Sequence, residues 1–113
     1  MGNTIKKYSP DGVHFIINLF DCSFFEFDES FLLSVASLIN ATPLKYVEHS
    51  FEPIGKTAIL LLGESHISIH TYPEYGVVFC DVFTCGKIKP EKSIDFLTNH
   101  FGSKRVEVTK IIR

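Results

Sequence analysis

The sequence predicts an α+β fold, a mostly antiparallel sheet with two helices on one face. Three observations carry this. Six runs of strand length are rich in β-branched and aromatic residues and are bounded by Pro, Gly, Asp or Asn. Two stretches place apolar residues at helical spacing. Several strands also carry apolar residues on both faces, more than two helices can cover, so one apolar sheet face is left for a partner sheet.

The first strand is 12–20, GVHFIINLF, set between Pro10-Asp11-Gly12 and Asp21-Cys22-Ser23. Asp28 is placed to cap a helix in which Phe31, Leu32, Val35, Leu38 and Ile39 form one stripe up to Asn40. Pro43 prevents its continuation, and Lys45 to Phe51 reads as a strand before the turn Glu52-Pro53-Ile54-Gly55. Thr57 to Leu62 is a short apolar run suited to a central strand.

The next segment alternates. Ile67, Ile69 and Thr71 take one face, while His66, Ser68, His70 and Tyr72 take the other. Pro73-Glu74-Tyr75-Gly76 supplies a turn and Val77 to Phe83 returns as the second arm of an antiparallel hairpin, with Gly86 releasing the chain. Pro90 suits a first helical position, with Ile94, Leu97 and Phe101 on one stripe and Gly102 as the stop. Val106 to Ile112 closes as a strand.

At 113 residues, 45% hydrophobic and 21% charged, the chain falls in the range of one domain, 1–113. A formal net charge of -2 without a basic run removes the electrostatic footprint of nucleic-acid binding or of an anionic membrane surface. The opening MGNTIKKYS leads into polar Ser9-Pro10-Asp11, and the longest apolar run, Ala58 to Leu62, is far too short to span a bilayer. The expectation is a cytoplasmic protein. Cys22, Cys80 and Cys85 are odd in number and lack C-x-x-C spacing, which fits a reduced compartment. No metal site is expected: His66 and His70 share a strand face, but no third ligand has telling spacing.

Leu60 to Gly86 is far denser in reactive groups than a strand pair needs for stability. Ser65 fails the G-x-S-x-G elbow of hydrolases because Ile67 stands where the second Gly belongs, and the setting is strand to strand. A serine after a Gly-Glu bend can instead attack the preceding carbonyl, that of Glu64, and the ester formed can leave by β-elimination. Asp81, inside an apolar strand, is either a buried polar residue with a structural partner or a member of the site.

The ordered pattern Glu64-Ser65-His66, Ser68, His70, Thr71, Pro73, Glu74 and Phe83-Thr84-Cys85-Gly86 resembles the signature of the short bacterial and archaeal class of S-adenosylmethionine decarboxylase, a self-processing enzyme with a pyruvoyl cofactor. The resemblance implies cleavage between Glu64 and Ser65, with Ser65 the pyruvoyl precursor, His70 the base of the elimination step and Cys85 the proton donor in catalysis. Thr57 stands where the family has a Ser that supports processing. Phe51 matches the aromatic that stacks on adenine, Glu74 the carboxylate on the ribose hydroxyls, and Tyr72 stands where Trp is usual. Upstream, Gly12-Val13-His14 lacks the family's Arg.

The resemblance also implies two protomers packed sheet to sheet as an α/β/β/α sandwich, a homodimer with sites near its interface. The function it implies is conversion of S-adenosylmethionine to its decarboxylated form and CO2 for spermidine synthesis. Two alternatives stay open at this point: the same fold and cofactor acting on arginine or ornithine, and a non-catalytic regulatory homologue. Read alone, Cys22 and Cys80 are small buried hydrophobes, and Phe51 and Tyr72 are core or interface aromatics.

Overall fold

The structure, a computed structural model, describes residues 11–85 and 88–113. The opening segment 1–10 and the chain release at Gly86 lie outside the described residues. The elements run β1 (Val13–Phe20), α1 (Glu29–Leu38), β2 (Pro43–Ser50), β3 (Lys56–Leu62), β4 (His66–Tyr72), a 3-10 turn (Pro73–Tyr75), β5 (Val77–Thr84), α2 (Lys92–Phe101) and β6 (Arg105–Ile112). The strands form one sheet in the order β2-β3-β4-β5-β1-β6, and every neighbouring pair is antiparallel.

Capping, turn and backbone chemistry account for the helix ends. The Asp28 carboxylate accepts from the Phe31 N–H at 3.2 Å, satisfying one of the amides that a helix start leaves unpaired. That bond and the Ser30 hydroxyl hold the Asp28 carboxyl below its ordinary range, with the hydroxyl the larger cause. Asn40, at φ 64°, turns the chain out of α1. Gly102, at φ 60°, ends α2 in the left-handed conformation that a side chain disfavours. Pro90 stands two residues before α2 and not at its first position. The reason is local: the Ser93 N–H and the Ser93 hydroxyl both return to the Pro90 carbonyl, a turn that precedes the helix.

Phe31, Leu32, Val35 and Ala36 of α1 and Leu97 and Phe101 of α2 pack on one sheet face, against Ile17, Leu60, Ile67, Ile69, Val78 and Val82 among others. These are the alternate residues of each strand, so the strand period of two divides the sheet into a covered and an uncovered side. The uncovered side carries Ile59, Leu61 and Phe79, which are 41%, 48% and 39% exposed. That is the apolar face the two-sided strands predict. Among the described residues no helix is long and apolar enough to cross a membrane.

Burial pushes the Cys80 thiol well up, and burial raises that of the half-buried Cys22 as well. Both are packing residues, with Cys80 fully in the core. Replacing Leu97, which is completely buried, by Ala is expected to cost about 3 kcal/mol through lost transfer energy and the cavity left behind. Chemical denaturation at fixed protein concentration reads this, and a loss below about 1 kcal/mol would contradict the core described here.

Candidate active site

The site residues fall into two groups at opposite ends of β4. Its pairing with β5, His66 with Phe83 and onward to Tyr72 with Val77, fixes the register. The pairing ends there, so Ser65, which directly precedes His66, and Cys85, two residues after Phe83, lie at the same end of the hairpin. The predicted nucleophile, the predicted cut and the predicted proton donor therefore share one end. Ser65 Oγ is buried and, among the described residues, is the one buried side-chain polar atom without a hydrogen-bond partner. Cys85 is a free, half-buried thiol.

The other end holds His70, Thr57, Phe51, Tyr72 and Glu74. His70 pairs with Thr57 across the β3–β4 ladder, and their side chains meet on the uncovered face, with Thr57 Oγ1 and His70 Nδ1 3.0 Å apart. Beyond them a cavity of about 430 Å3 is lined by Thr57, Tyr72, Glu74, Phe51 and the Glu52–Gly55 turn. Gly55 closes that turn by accepting from the Phe51 N–H at 2.8 Å. Its φ of 103° and the Thr71 carbonyl, 3.3 Å from where a Cβ would sit, make glycine the fitting residue. Phe51 is 49% exposed and lies edge-on to His49, which leaves a ring face free.

Five residues of extended strand separate Ser65 from His70, about 16 Å at the usual rise. The two members of the predicted processing pair are thus not brought together within one chain. An extended strand cannot fold back on itself, and β4 is paired on both sides.

Sequence reasoning left Asp81 undecided and gave His14 no role beyond the resemblance. The structure joins them. Asp81 Oδ2 lies 3.1 Å from His14 Nε2, and Oδ1 takes the Ser68 hydroxyl and lies 3.5 Å from His66 Nε2. The four residues come from β1, β4 and β5 on the uncovered face, close to the Ser65 end. His14, His66 and Asp81 offer three atoms within 4.8 Å of one another, a spacing that also occurs at metal sites. Here the Asp81 carboxylate accepts from the Ser68 hydroxyl and faces both imidazoles. The signal available in the sequence was the alternation of His66 and Ser68; the strand order that brings His14 beside Asp81 was not.

A larger cleft, about 530 Å3, lies away from both ends, along Phe24, Phe27, Phe31 and His100. Its polar groups are committed, Asp28 to the α1 cap and Lys56 Nζ to the Phe27 carbonyl at 2.6 Å.

Comparison with known proteins adds to this geometry. The family model for S-adenosylmethionine decarboxylase matches residues 13–113. The chain belongs to the S-adenosylmethionine decarboxylase family. An S-adenosylmethionine decarboxylase proenzyme of Prochlorococcus marinus (strain MIT 9313) is 43% identical over 99 residues, covering 82% of this chain and 79% of that protein. S-adenosylmethionine decarboxylase proenzyme 2 of Bacillus cereus is 35% identical over 113 residues, covering 95% and 92%. The crystal structure of the adenosylmethionine decarboxylase from Aquifex aeolicus VF5 superposes with a TM-score of 0.80 at 28% identity, covering 92% of this chain and 91% of that one. The α+β architecture found here is the family's.

Replacing Asp81 by Ala strands the buried Ser68 hydroxyl and two imidazoles, and is expected to cost about 1–3 kcal/mol of stability. Asp81→Asn, which keeps one acceptor oxygen, should lose less. Denaturant midpoints read both, and equal stability of all three proteins would contradict the network.

Proposed function

We propose that this chain is a self-processing S-adenosylmethionine decarboxylase. It cuts itself between Glu64 and Ser65, turns Ser65 into an N-terminal pyruvoyl group, and removes CO2 from S-adenosylmethionine to leave the aminopropyl donor used in spermidine synthesis. The observation that carries the reading is Ser65 Oγ, buried, without a partner and next to the bond to be cut.

The chain's residues supply the processing steps. Ser65 Oγ adds to the Glu64 carbonyl carbon, the peptide C–N bond breaks, and the hydroxyl proton passes to the Ser65 nitrogen. A base then removes the Ser65 α-proton, the Cβ–O bond breaks, and Glu64 leaves as a carboxylate. Water replaces the nitrogen of the dehydroalanine, which departs as ammonia. The unpartnered Ser65 hydroxyl fits this origin for the cofactor. The pyruvoyl group supplies a carbonyl that binds the substrate amine and draws off the electron pair released with CO2.

His70 is the base. Its Nδ1 lies 3.0 Å from Thr57 Oγ1; in the tautomer with the proton on Nδ1, that hydroxyl oxygen accepts from it and Nε2 carries the lone pair that takes up the proton. Because His70 stands about 16 Å along the strand from its own Ser65, the proton it takes is the partner's. Two copies packed face to face about a two-fold axis, with β4 strands running in opposite directions, bring each Ser65 end against the partner's His70 end. Two identical sites result, and the exposed Ile59, Leu61 and Phe79 are buried in the same step. The homodimer sandwich is therefore part of the proposal.

The cavity beside His70 takes the adenosyl group: Phe51 offers a ring face to adenine, Glu74 accepts from the ribose hydroxyls, and Tyr72 lines the wall. Its size lies in the range of small-molecule sites. Cys85, at the same end of the hairpin as the cut, delivers the proton that takes the place of the lost CO2. The relatives named above carry the adenosyl substrate in their names, and none names arginine or ornithine. Nothing in the site favours the non-catalytic reading, since Ser65, His70 and Cys85 are all present.

An intact mass spectrum of freshly made protein tests the reading. Two fragments are expected, 1–64 and 65–113, the second lighter by one ammonia than a serine-started peptide, while Ser65→Ala stays one chain. A wild-type chain that remains whole on long incubation would refute self-processing.

A further inference from the structure

Self-cleavage needs more than a nucleophile, because the carbonyl it attacks must be held in reach. Extending the β3–β4 ladder one step past Leu61 and His66 makes Leu62 and Ser65 the closing pair of a two-residue loop, and the Leu62 N–H donates to the Ser65 carbonyl at 2.9 Å. Loops of this length hold themselves in primed turns, which use positive φ at one or both central residues. Neither Gly63 nor Glu64 has positive φ. The hold comes from outside the hairpin. Thr42, between the left-handed Asn40 and the first residue of β2, faces the loop with both sides of its backbone. Its carbonyl accepts from the Gly63 N–H at 2.8 Å, and its N–H donates to Glu64 Oε1 at 3.2 Å.

We propose that Glu64 is a positioning residue for the self-cleavage: its side-chain carboxylate, clasped on the Thr42 N–H, fixes the carbonyl carbon that Ser65 attacks. The inference rests on the self-processing reading above and adds a role for a side chain that the chemistry itself does not consume. Both bonds of the clasp belong to the acyl side of the cut, to Gly63 and Glu64. In the attack the Oγ–C bond forms, the C–N bond breaks and the hydroxyl proton moves to the Ser65 nitrogen, so no group beyond the loop enters the balance. Once the C–N bond is gone, an ester alone joins the two halves, and the clasp keeps the acyl end in register until elimination.

The test uses the full-length chain, wild type beside Glu64→Ala and Glu64→Gln, followed by intact mass from the time of synthesis. Brief hydroxylamine treatment traps the ester as a hydroxamate on fragment 1–64. Glu64→Ala is expected to cut about tenfold more slowly, the loss of one charge-assisted bond at the attack step, with less hydroxamate and an unchanged melting temperature. Glu64→Gln keeps an acceptor oxygen and should cut within about threefold of wild type, a rescue that a general loosening of the loop would not give. Glu64→Ala cutting at the wild-type rate overturns the proposal, and so does equal slowing of both variants. A wild type that never cuts refutes the self-processing reading itself and the inference with it.

Discussion

The rest of the structure depends on the stiffness of one strand. β4 is extended and paired on both sides, so the distance between Ser65 and His70 is set by five backbone repeats and cannot be adjusted by side chains. Ser65 and His70 stand at opposite ends of this run, and their odd spacing of five turns the two side chains to opposite faces. Nothing short of melting the centre of the sheet brings them together in one chain. In the proposed dimer a second copy turned end for end does so. In the proposed dimer the uncovered apolar face and the divided site have one cause, an identical sheet packed against this one.

The two ends are built for different tasks. At the Ser65 end Asp81 gathers Ser68, His14 and His66, Thr42 gathers Gly63 and Glu64, and Ser65 Oγ is, among the described residues, the one buried side-chain nitrogen or oxygen without a partner. A buried hydroxyl without a hydrogen bond is costly, and such a group is tolerated where its reactivity is used. At the His70 end the groups are open to a cavity, with Phe51, Tyr72 and Glu74 all exposed. The first end suits a reaction of the chain upon itself, and the second suits a ligand that must enter and leave.

Much of this was legible in the sequence, for physical reasons that differ by residue. The alternation in Ile67–Tyr72 put His66, Ser68 and His70 on one face because strand side chains alternate, and the structure keeps them there. Asp28 and Gly102 marked helix ends because their side chain and backbone freedom satisfy orphaned amides and carbonyls. Pro90 misled by two residues, since the sequence does not show that Ser93 closes a turn on its carbonyl. The strand order was not legible: local periodicity says which way a residue points but not which strand lies beside it. That is why the insertion of β1 between β5 and β6, and with it the pairing of His14 with Asp81, came only from the structure. The five-residue gap between Ser65 and His70 was in the sequence, and it became a constraint only when β4 proved to be one unbroken strand.

The central claim, that each site is completed by the partner copy, is tested most directly by mixing two defective chains. Ser65→Ala retains His70 but lacks the hydroxyl that attacks, and His70→Ala retains that hydroxyl but lacks the base. Co-expressed and separated by distinct tags, they form mixed dimers with one complete site. The account predicts that the His70→Ala chain is cut in the mixed dimer and stays whole alone. If it stays whole in both, or is cut in its own homodimer, the site is not shared between copies in the way the strand geometry requires.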